Sequence, residues 1–352
     1  MLFSAELSIV RRMKRLTLLV LLLAWIISAD AAIVQVDYSY DAANGNFFGS
    51  NPTAKAALNA AALDIGNVIT NSFAAVPSDI YSGTNGSTTA TFDWSLGITN
   101  PSTGTGVTLN TFSFPANTIS IAVGVRSLAG STLGVGGPSG GGISLNGSGS
   151  ASQWVGAVAA AESASNAAMP RGSGPVIGTL AGSATLGGTT ANYSVRFGAI
   201  LGSLSFNSTS TFHYDHTTPV GAGENDFYSV ALHEILHAIG FGTSETWNSL
   251  RSGTTWNGPN ANALGSFTLS PDGGHIVEGA MSTRITDGTA QEAVMDPSLT
   301  VGTRKTLTQL DLAYLRDIGF TVVPEPSAGT FAISACLVFS LVRRRKVAAR
   351  LA

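Results

Sequence analysis

The stretch Asp226-Phe227-Tyr228-Ser229-Val230-Ala231-Leu232-His233-Glu234-Ile235-Leu236-His237-Ala238-Ile239-Gly240-Phe241 constrains this chain more than any other. From Asp226 to Ile239 it holds no Gly or Pro, its apolar side chains recur at helical spacing, and Gly240 supplies a C-terminal stop. A helix is therefore expected. Positions four apart lie on one helix face about one turn apart, so His233 and His237 can aim imidazole nitrogens at one ion, with Glu234 beside them.

Zinc suits such donors. It prefers tetrahedral coordination by neutral imidazoles at roughly 2.0–2.1 Å, and a catalytic site keeps one position open for water. Two histidines leave the set incomplete. A bound ion lowers the pKa of its water towards about 7, and an adjacent carboxylate can take that proton. Glu234 is thus the candidate general base, and His233 and His237 are candidate ligands. The bland alternative is two histidines packed or solvated on an ordinary helix. It leaves unexplained why Gly240 follows three residues after the second histidine, where it can turn the chain sharply away.

Val230 to Gly242, VALHEILHAIGFG, resembles the active-site helix of metzincin zinc endopeptidases, the matrixin-like and leishmanolysin-like groups especially. The commonest family pattern ends in a third histidine three residues after the glycine. Here that position is Thr243, whose hydroxyl is a poor zinc ligand, so the third ligand must come from elsewhere. The chain has five histidines, which leaves His213, His216 and His275. His275, in the turn-rich Asp272-Gly273-Gly274-His275, fits the downstream displacement seen in leishmanolysin-like enzymes. Glu278 and Glu292 are rivals, since zinc also accepts carboxylates. Ala293-Val294-Met295-Asp296-Pro297 resembles the family's Met-turn, which implies that Met295 forms an apolar floor beneath the histidines.

Composition limits what surrounds this site. Charged residues make up 11% of the chain and Gly occupies 41 positions, a balance that suits a loop-rich extracellular or envelope protein. The single cysteine, Cys336, excludes an intramolecular disulfide and the cysteine switch that keeps matrixins latent. Nine of the 18 basic residues sit in the terminal segments, leaving nine basic against 19 acidic side chains in residues 32–327. That difference of about -10 repels phosphate backbones, so nucleic acid is not an expected partner.

The chain opens with Arg11, Arg12, Lys14 and Arg15, an apolar run from Leu16 to Ile27, and Ala29-Asp30-Ala31. This is the order of a secretory signal peptide with an A-x-A cleavage site, so residues 1–31 are assigned to it and the mature chain is expected to begin near Ala32. Met13 would give a more compact signal than Met1. The apolar run is about 12 residues, short of the roughly 20 that a retained transmembrane anchor needs.

Ile33 to Tyr40 reads as a strand and Pro52 to Thr70 as an alanine-rich helix. Thr89 to Leu96, Ile119 to Val125 and Ser194 to Phe206 are further strand candidates, and Ala157 to Met169 is a helix candidate stopped by Pro170. Ser102 to Gly106 and Ala129 to Ser152, rich in Gly and Ser, are expected to be loops. Leu201 to Phe206 is the last strand candidate before the histidine helix, where the resemblance implies an edge strand that pairs with extended substrate. Thr306 to Ile318 reads as a final helix, capped by Thr308 with Asp311. The order predicts an α+β fold, and the resemblance implies a zincin-like domain over residues 32–322 with a twisted mixed sheet and a backing helix.

Two further metal sites are raised. His213-Tyr214-Asp215-His216 could hold a second zinc, as matrixin-like enzymes hold a structural one, although solvated loop histidines are the commoner outcome. Asp215, Glu224 and Asp226 permit calcium without specifying it.

The tail, residues 323–352, runs Val323-Pro324-Glu325-Pro326-Ser327, an apolar stretch from Ala328 to Val342, then Arg343-Arg344-Arg345-Lys346. It resembles a PEP-CTERM sorting signal. That resemblance implies a bacterium, a tail held as a helix in the inner membrane with its basic end inside, and release by an exosortase-type enzyme. The catalytic domain would then reach the cell envelope, cell surface or extracellular matrix.

Together these readings give an exported zinc metalloendopeptidase with His233, His237 and His275 as ligands, Glu234 as general base, and a peptide or protein as substrate. The alternative is a non-catalytic surface or matrix-binding protein on the same fold. A zinc hydrolase acting on something other than peptides would share every residue named.

Overall fold

The computed structural model describes residues 32–323, so the signal-like segment and the tail beyond Val323 lie outside the described residues. The fold is mixed α+β. Four strands form the central sheet: β1 (Ile33–Asp37), β5 (Thr118–Arg126), β10 (Leu201–Asn207) and β6 (Gly134–Pro138), in that spatial order. β1, β5 and β10 run parallel, and β6 closes one edge antiparallel to β10.

Parallel neighbours need long crossovers, and the first of these carries the backing helix Pro52–Val68. Pro52 stands at its start, where a missing N–H costs nothing, and Asn51 caps it by accepting from Ala54 N at 3.0 Å. Its buried face is mostly alanine, with Leu58 and Ile65. Small side chains let it lie close to the histidine helix, Phe227–Ala238, against which it packs.

A second sheet is built around the long strand β3 (Thr88–Thr99). It pairs antiparallel with β2 (Ile80–Asn85), β4 (Gly106–Leu109) and β7 (Gly140–Ser148). Alternate residues Ala90, Phe92, Trp94, Leu96 and Ile98 are buried, the period-2 pattern of a sheet with one covered face. The cover is the helix Trp154–Ala168, which also packs on the hairpin of β8 (Val176–Leu186) and β9 (Thr189–Gly198). Two indoles fix it in place: Trp94 Nε1 donates to Ser165 Oγ at 2.9 Å and Trp154 Nε1 to Ala184 O at 2.9 Å.

Three sequence expectations are corrected. Ser194 to Phe206 is two strands, β9 and β10, separated at Ala199 and Ile200. Leu201 to Phe206 is not an edge strand, because β10 is flanked by β5 and β6. Ala129 to Ser152 is not a loop, since it contains β6 and β7. Its glycines serve close approach: a Cβ on Gly147 would stand 2.2 Å from the Trp154 ring, and one on Gly136 would stand 2.4 Å from Glu234 O.

The closing helix, Gln309–Asp317, carries the capping box expected of Thr308 and Asp311. Both ends of the described chain meet at the last turn of the backing helix. Ala32 N donates to Ile69 O at 3.2 Å, and Val323 N donates to Val68 O at 2.8 Å. Among the described residues, no helix is long and apolar enough to cross a membrane.

Candidate metal centre

Asp226 starts the histidine helix by accepting from Ser229 N at 3.0 Å and Ser229 Oγ at 2.6 Å, while its other oxygen is paired with Arg304 at 2.7 Å. Every residue of the helix except His233 is buried, the polar Ser229, Glu234 and His237 included. Gly240 ends it at φ +118°, a conformation that side chains disfavour. Phe241 N then reaches back to Leu236 O at 3.0 Å. Thr243, where the third histidine of the commonest metzincin pattern would stand, donates its hydroxyl to His237 O at 2.8 Å and so caps the helix.

The chain returns to the site some thirty residues later, held by an aromatic stack. Phe241, Trp247, Trp256 and Tyr314 pack ring on ring, with Trp247 4.4 Å from both Phe241 and Trp256. Trp247 Nε1 donates to Gly273 O at 2.8 Å. Gly242 and Gly274 approach so closely that a Cβ on Gly242 would meet Gly274 O at 2.1 Å. These contacts deliver His275.

The Nε2 atoms of His233, His237 and His275 lie 3.0–3.1 Å from one another. Each Nδ1 faces an oxygen instead: His233 the Val294 carbonyl at 2.9 Å, His237 the Phe241 carbonyl at 2.9 Å, and His275 the Asp272 carboxylate at 2.7 Å. Those oxygens can only accept, so each Nδ1 carries the proton. In neutral rings, three Nε2 lone pairs are then left pointing at one small space. Burial lowers the His233 pKa well below its ordinary value and brings that of His237 down to about 4, so both rings are neutral at pH 7. Three lone pairs at this separation repel unless a cation lies among them. Imidazole nitrogens at roughly 2.0–2.1 Å from a tetrahedral ion stand about 3.3 Å apart, so the trio fits a metal ion with little adjustment. The three residues could hold one.

Asp272 has no counterpart behind His233 and His237, which lean on backbone carbonyls. Burial raises its carboxyl, but the Gly274 N–H and His275 outweigh that and leave it below the usual range. A carboxylate behind a ligating histidine fixes its tautomer and strengthens it as a donor.

Met295 is fully buried, and its segment bonds His233 and the residue next to His275. Met295 O accepts from Ile276 N at 3.0 Å, beside His275, and Val294 O receives His233. Asp311 holds the segment through Val294 N and Met295 N.

Glu234 is buried beside β6, which pushes its carboxyl up to about 8, partly countered by the Gly136 N–H facing it. It lines a cleft of about 790 Å³ with the three histidines, bordered by Gly134 to Gly136 on one side and by Val294, Leu299 and Val301 on the other. Lys305 also lines it, with its ammonium at 2.7 Å from Ser298 O, 3.1 Å from Glu292 and 3.6 Å from Asp296.

The rival ligands are engaged elsewhere. Glu278 accepts from the Ser298 hydroxyl and Glu292 pairs with Lys305. His213 bonds Glu224 at 3.1 Å and Asp215 O at 2.8 Å. His216 stacks on Tyr228, and Asp226 serves its helix cap and Arg304. Among the described residues, His233, His237 and His275 form the one cluster of three or more His, Cys, Asp or Glu with converging ligand atoms. The sequence points to Asp311 only as a helix cap, not as the anchor of Val294 and Met295, and it does not mark Asp272, Trp247 or the β6 glycines as parts of the site. Asp272, three residues before His275 in one turn, was the most accessible of them.

Comparison with protein-family models, with curated proteins and with solved structures finds no match to this chain.

Proposed function

We propose that the chain is a zinc-dependent endopeptidase of metzincin type, with His233, His237 and His275 as ligands and Glu234 as general base. One observation carries the reading: three imidazoles converge on one point through their Nε2 atoms, each oriented from behind by an oxygen at its Nδ1. A site of three nitrogens with room for a fourth ligand suits zinc. When bound, the ion would supply Lewis acidity, making water a better nucleophile near neutral pH and polarising a carbonyl.

The chain's own residues supply the rest. Glu234 lies in the same cleft wall as the histidines, where its carboxylate can take a proton from the attacking water and return it to the leaving amine. Burial alone favours its neutral form, and a cation held by the histidines would draw it back towards the carboxylate that accepts a proton. β6 offers a free sheet edge along the cleft, to which an extended peptide can add as a further strand. Thus β6 takes the role first expected of β10. Val294 and Met295, pinned by Asp311, hold His233 and the His275 loop in register.

Export through the signal-like segment, retention by the PEP-CTERM-like tail and release by an exosortase-type enzyme complete the proposal. They rest on residues outside the described ones. The test is elemental analysis of the purified chain together with chelator-sensitive cleavage of casein. About one zinc per chain with cleavage supports the reading, zinc without cleavage of any peptide turns it towards a different hydrolase or a binding protein, and no zinc removes it.

A further inference from the structure

The edge strand β6 lies directly on the candidate base, and it does so at a glycine. A Cβ on Gly134 would stand 2.7 Å from Glu234 Cγ and 2.8 Å from its Oε1, closer than real side-chain carbons come. The nearest atoms it meets all belong to that one side chain. A Cβ on Gly136 would instead meet the Glu234 backbone oxygen at 2.4 Å, and one on Gly137 would meet nothing within 4 Å. Three glycines in four residues therefore serve different ends.

The direction of the backbone groups agrees. β6 and β10 are antiparallel, and the inward bonds at its two ends are Asn207 N to Leu133 O and Ser139 N to Leu201 O. Backbone groups alternate in direction along a strand. If Leu133 and Ser139 face β10, so do Val135 and Gly137, while Gly134 and Gly136 turn towards the free edge and the cleft. Both of these line the cleft together with Glu234.

We infer that Gly134 is a positioning residue for Glu234, its missing side chain being what allows the carboxylate to rest against β6 beside the histidine cluster. The inference rests on the reading of Glu234 as the proton acceptor. It adds the reason that the carboxylate stays where it is. β6 is held from behind by β10, so a methyl group at 134 finds the strand fixed and the glutamate mobile, and the carboxylate is the part that gives way. A displacement of about 1 Å in a catalytic group can cost about 100-fold in rate.

The experiment compares the full chain with Gly134→Ala and, as a control on the same strand, Gly137→Ala, each loaded with zinc and crystallised. The expected result for Gly134→Ala is a Glu234 carboxylate moved by about 1 Å or more, with the backbone of residues 133–137 and the three histidines in place and zinc content unchanged. Gly137→Ala should leave the carboxylate where it was. A carboxylate that stays while the strand moves would overturn the inference, and so would equal displacement in both variants. Should Gly134→Ala melt at a lower temperature, adding Glu234→Ala must restore the midpoint of the Glu234→Ala single variant. A loss that persists would place the clash elsewhere and overturn the inference too. With a cleaved peptide, Gly134→Ala should lower kcat at least 10-fold and leave KM within about twofold, since a positioned base contributes 10²–10⁴-fold. If the wild type cleaves nothing, the endopeptidase reading fails, and the displacement still decides what Gly134 does.

Discussion

Asp311 of the closing helix and Met295 of the segment behind the histidines are joined through the Met295 amide, which donates to Asp311 Oδ1 at 3.2 Å. The other carboxylate oxygen takes the amides of Val294 and Thr308 and the Thr308 hydroxyl. One carboxylate thus caps a helix and secures the turn that bonds His233 and the neighbour of His275. Burial raises its pKa against the pull of those four bonds.

Asp311→Ala strands several buried donors, each costing about 1–3 kcal/mol when left unmade. The expected loss is about 3 kcal/mol or more of folding stability, read as a lower urea midpoint, with weaker zinc binding in the protein that remains folded. A midpoint within experimental error of the wild type would show that the bonds to Val294 and Met295 contribute nothing.

Asp272→Asn tests the carboxylate behind His275. Outer partners of metal-bound histidines are typically worth roughly 10- to 100-fold in metal affinity. Zinc affinity, measured by competition with a chelating dye, should fall by that order and far less than for His275→Ala. Equal affinity in Asp272→Asn and wild type would show that the loop holds His275 without help.

Glu234→Ala should retain zinc and lose hydrolysis, whereas His237→Ala should lose both. Zinc content and peptide cleavage on the same samples decide it. A Glu234→Ala protein that cleaves at the wild-type rate would sink the mechanism.

Acid should destabilise the chelated protein. Burial depresses the pKa of both His233 and His237, the latter to about 4, while in the unfolded chain an imidazole takes its proton near about 6.5. Between those values the unfolded state binds protons that the folded state refuses, so stability is fully present above about 6.5 and falls as pH drops towards 4. The urea midpoint after chelation should be lower at about pH 5 than at about pH 7.5, and His237→Phe should reduce that difference. An identical pH response in the variant would assign the effect to other groups.

The aromatic stack makes a separate prediction. Trp247→Ala removes a fully buried indole and its bond to Gly273 O, and large aromatic truncations typically cost about 3–5 kcal/mol. Because Gly273 precedes His275 by two residues, zinc affinity should fall as well. Trp247→Phe, which keeps the stacking and loses the bond, should cost less in stability. If zinc affinity is untouched in both variants, the delivery of His275 does not depend on this anchor.

What was legible in the sequence was local. The helix period and the stop at Gly240 follow from side-chain spacing and backbone freedom, and the Thr308 cap follows from a four-residue pattern. His275 was reached through a likeness of chain order and a count of five histidines; the three Nε2 atoms converge as that reading required. What could not be read was set by contacts between distant segments. The glycines of β6 and β7 have low strand propensity and resemble a flexible loop, but the segments pair with β10 and β3, and Gly134, Gly136 and Gly147 stand where Glu234, Leu204 and Trp154 leave no room for a side chain. The edge position passed from β10 to β6 through that pairing. Asp272, Asp311 and Trp247 act on groups that only the fold brings near them.

The meeting of Ala32 and Val323, the ends of the described residues, at Ile69 and Val68 gives this domain the connectivity of a nearly closed ring. The ends could be joined by a short linker and the chain reopened at an exposed turn such as Gly187-Gly188, and such a circular permutant should keep the histidine cluster intact. The same proximity means that Ala32 and Val323 present neighbouring points of attachment. A tether attached to either end would hold the domain at one and the same point.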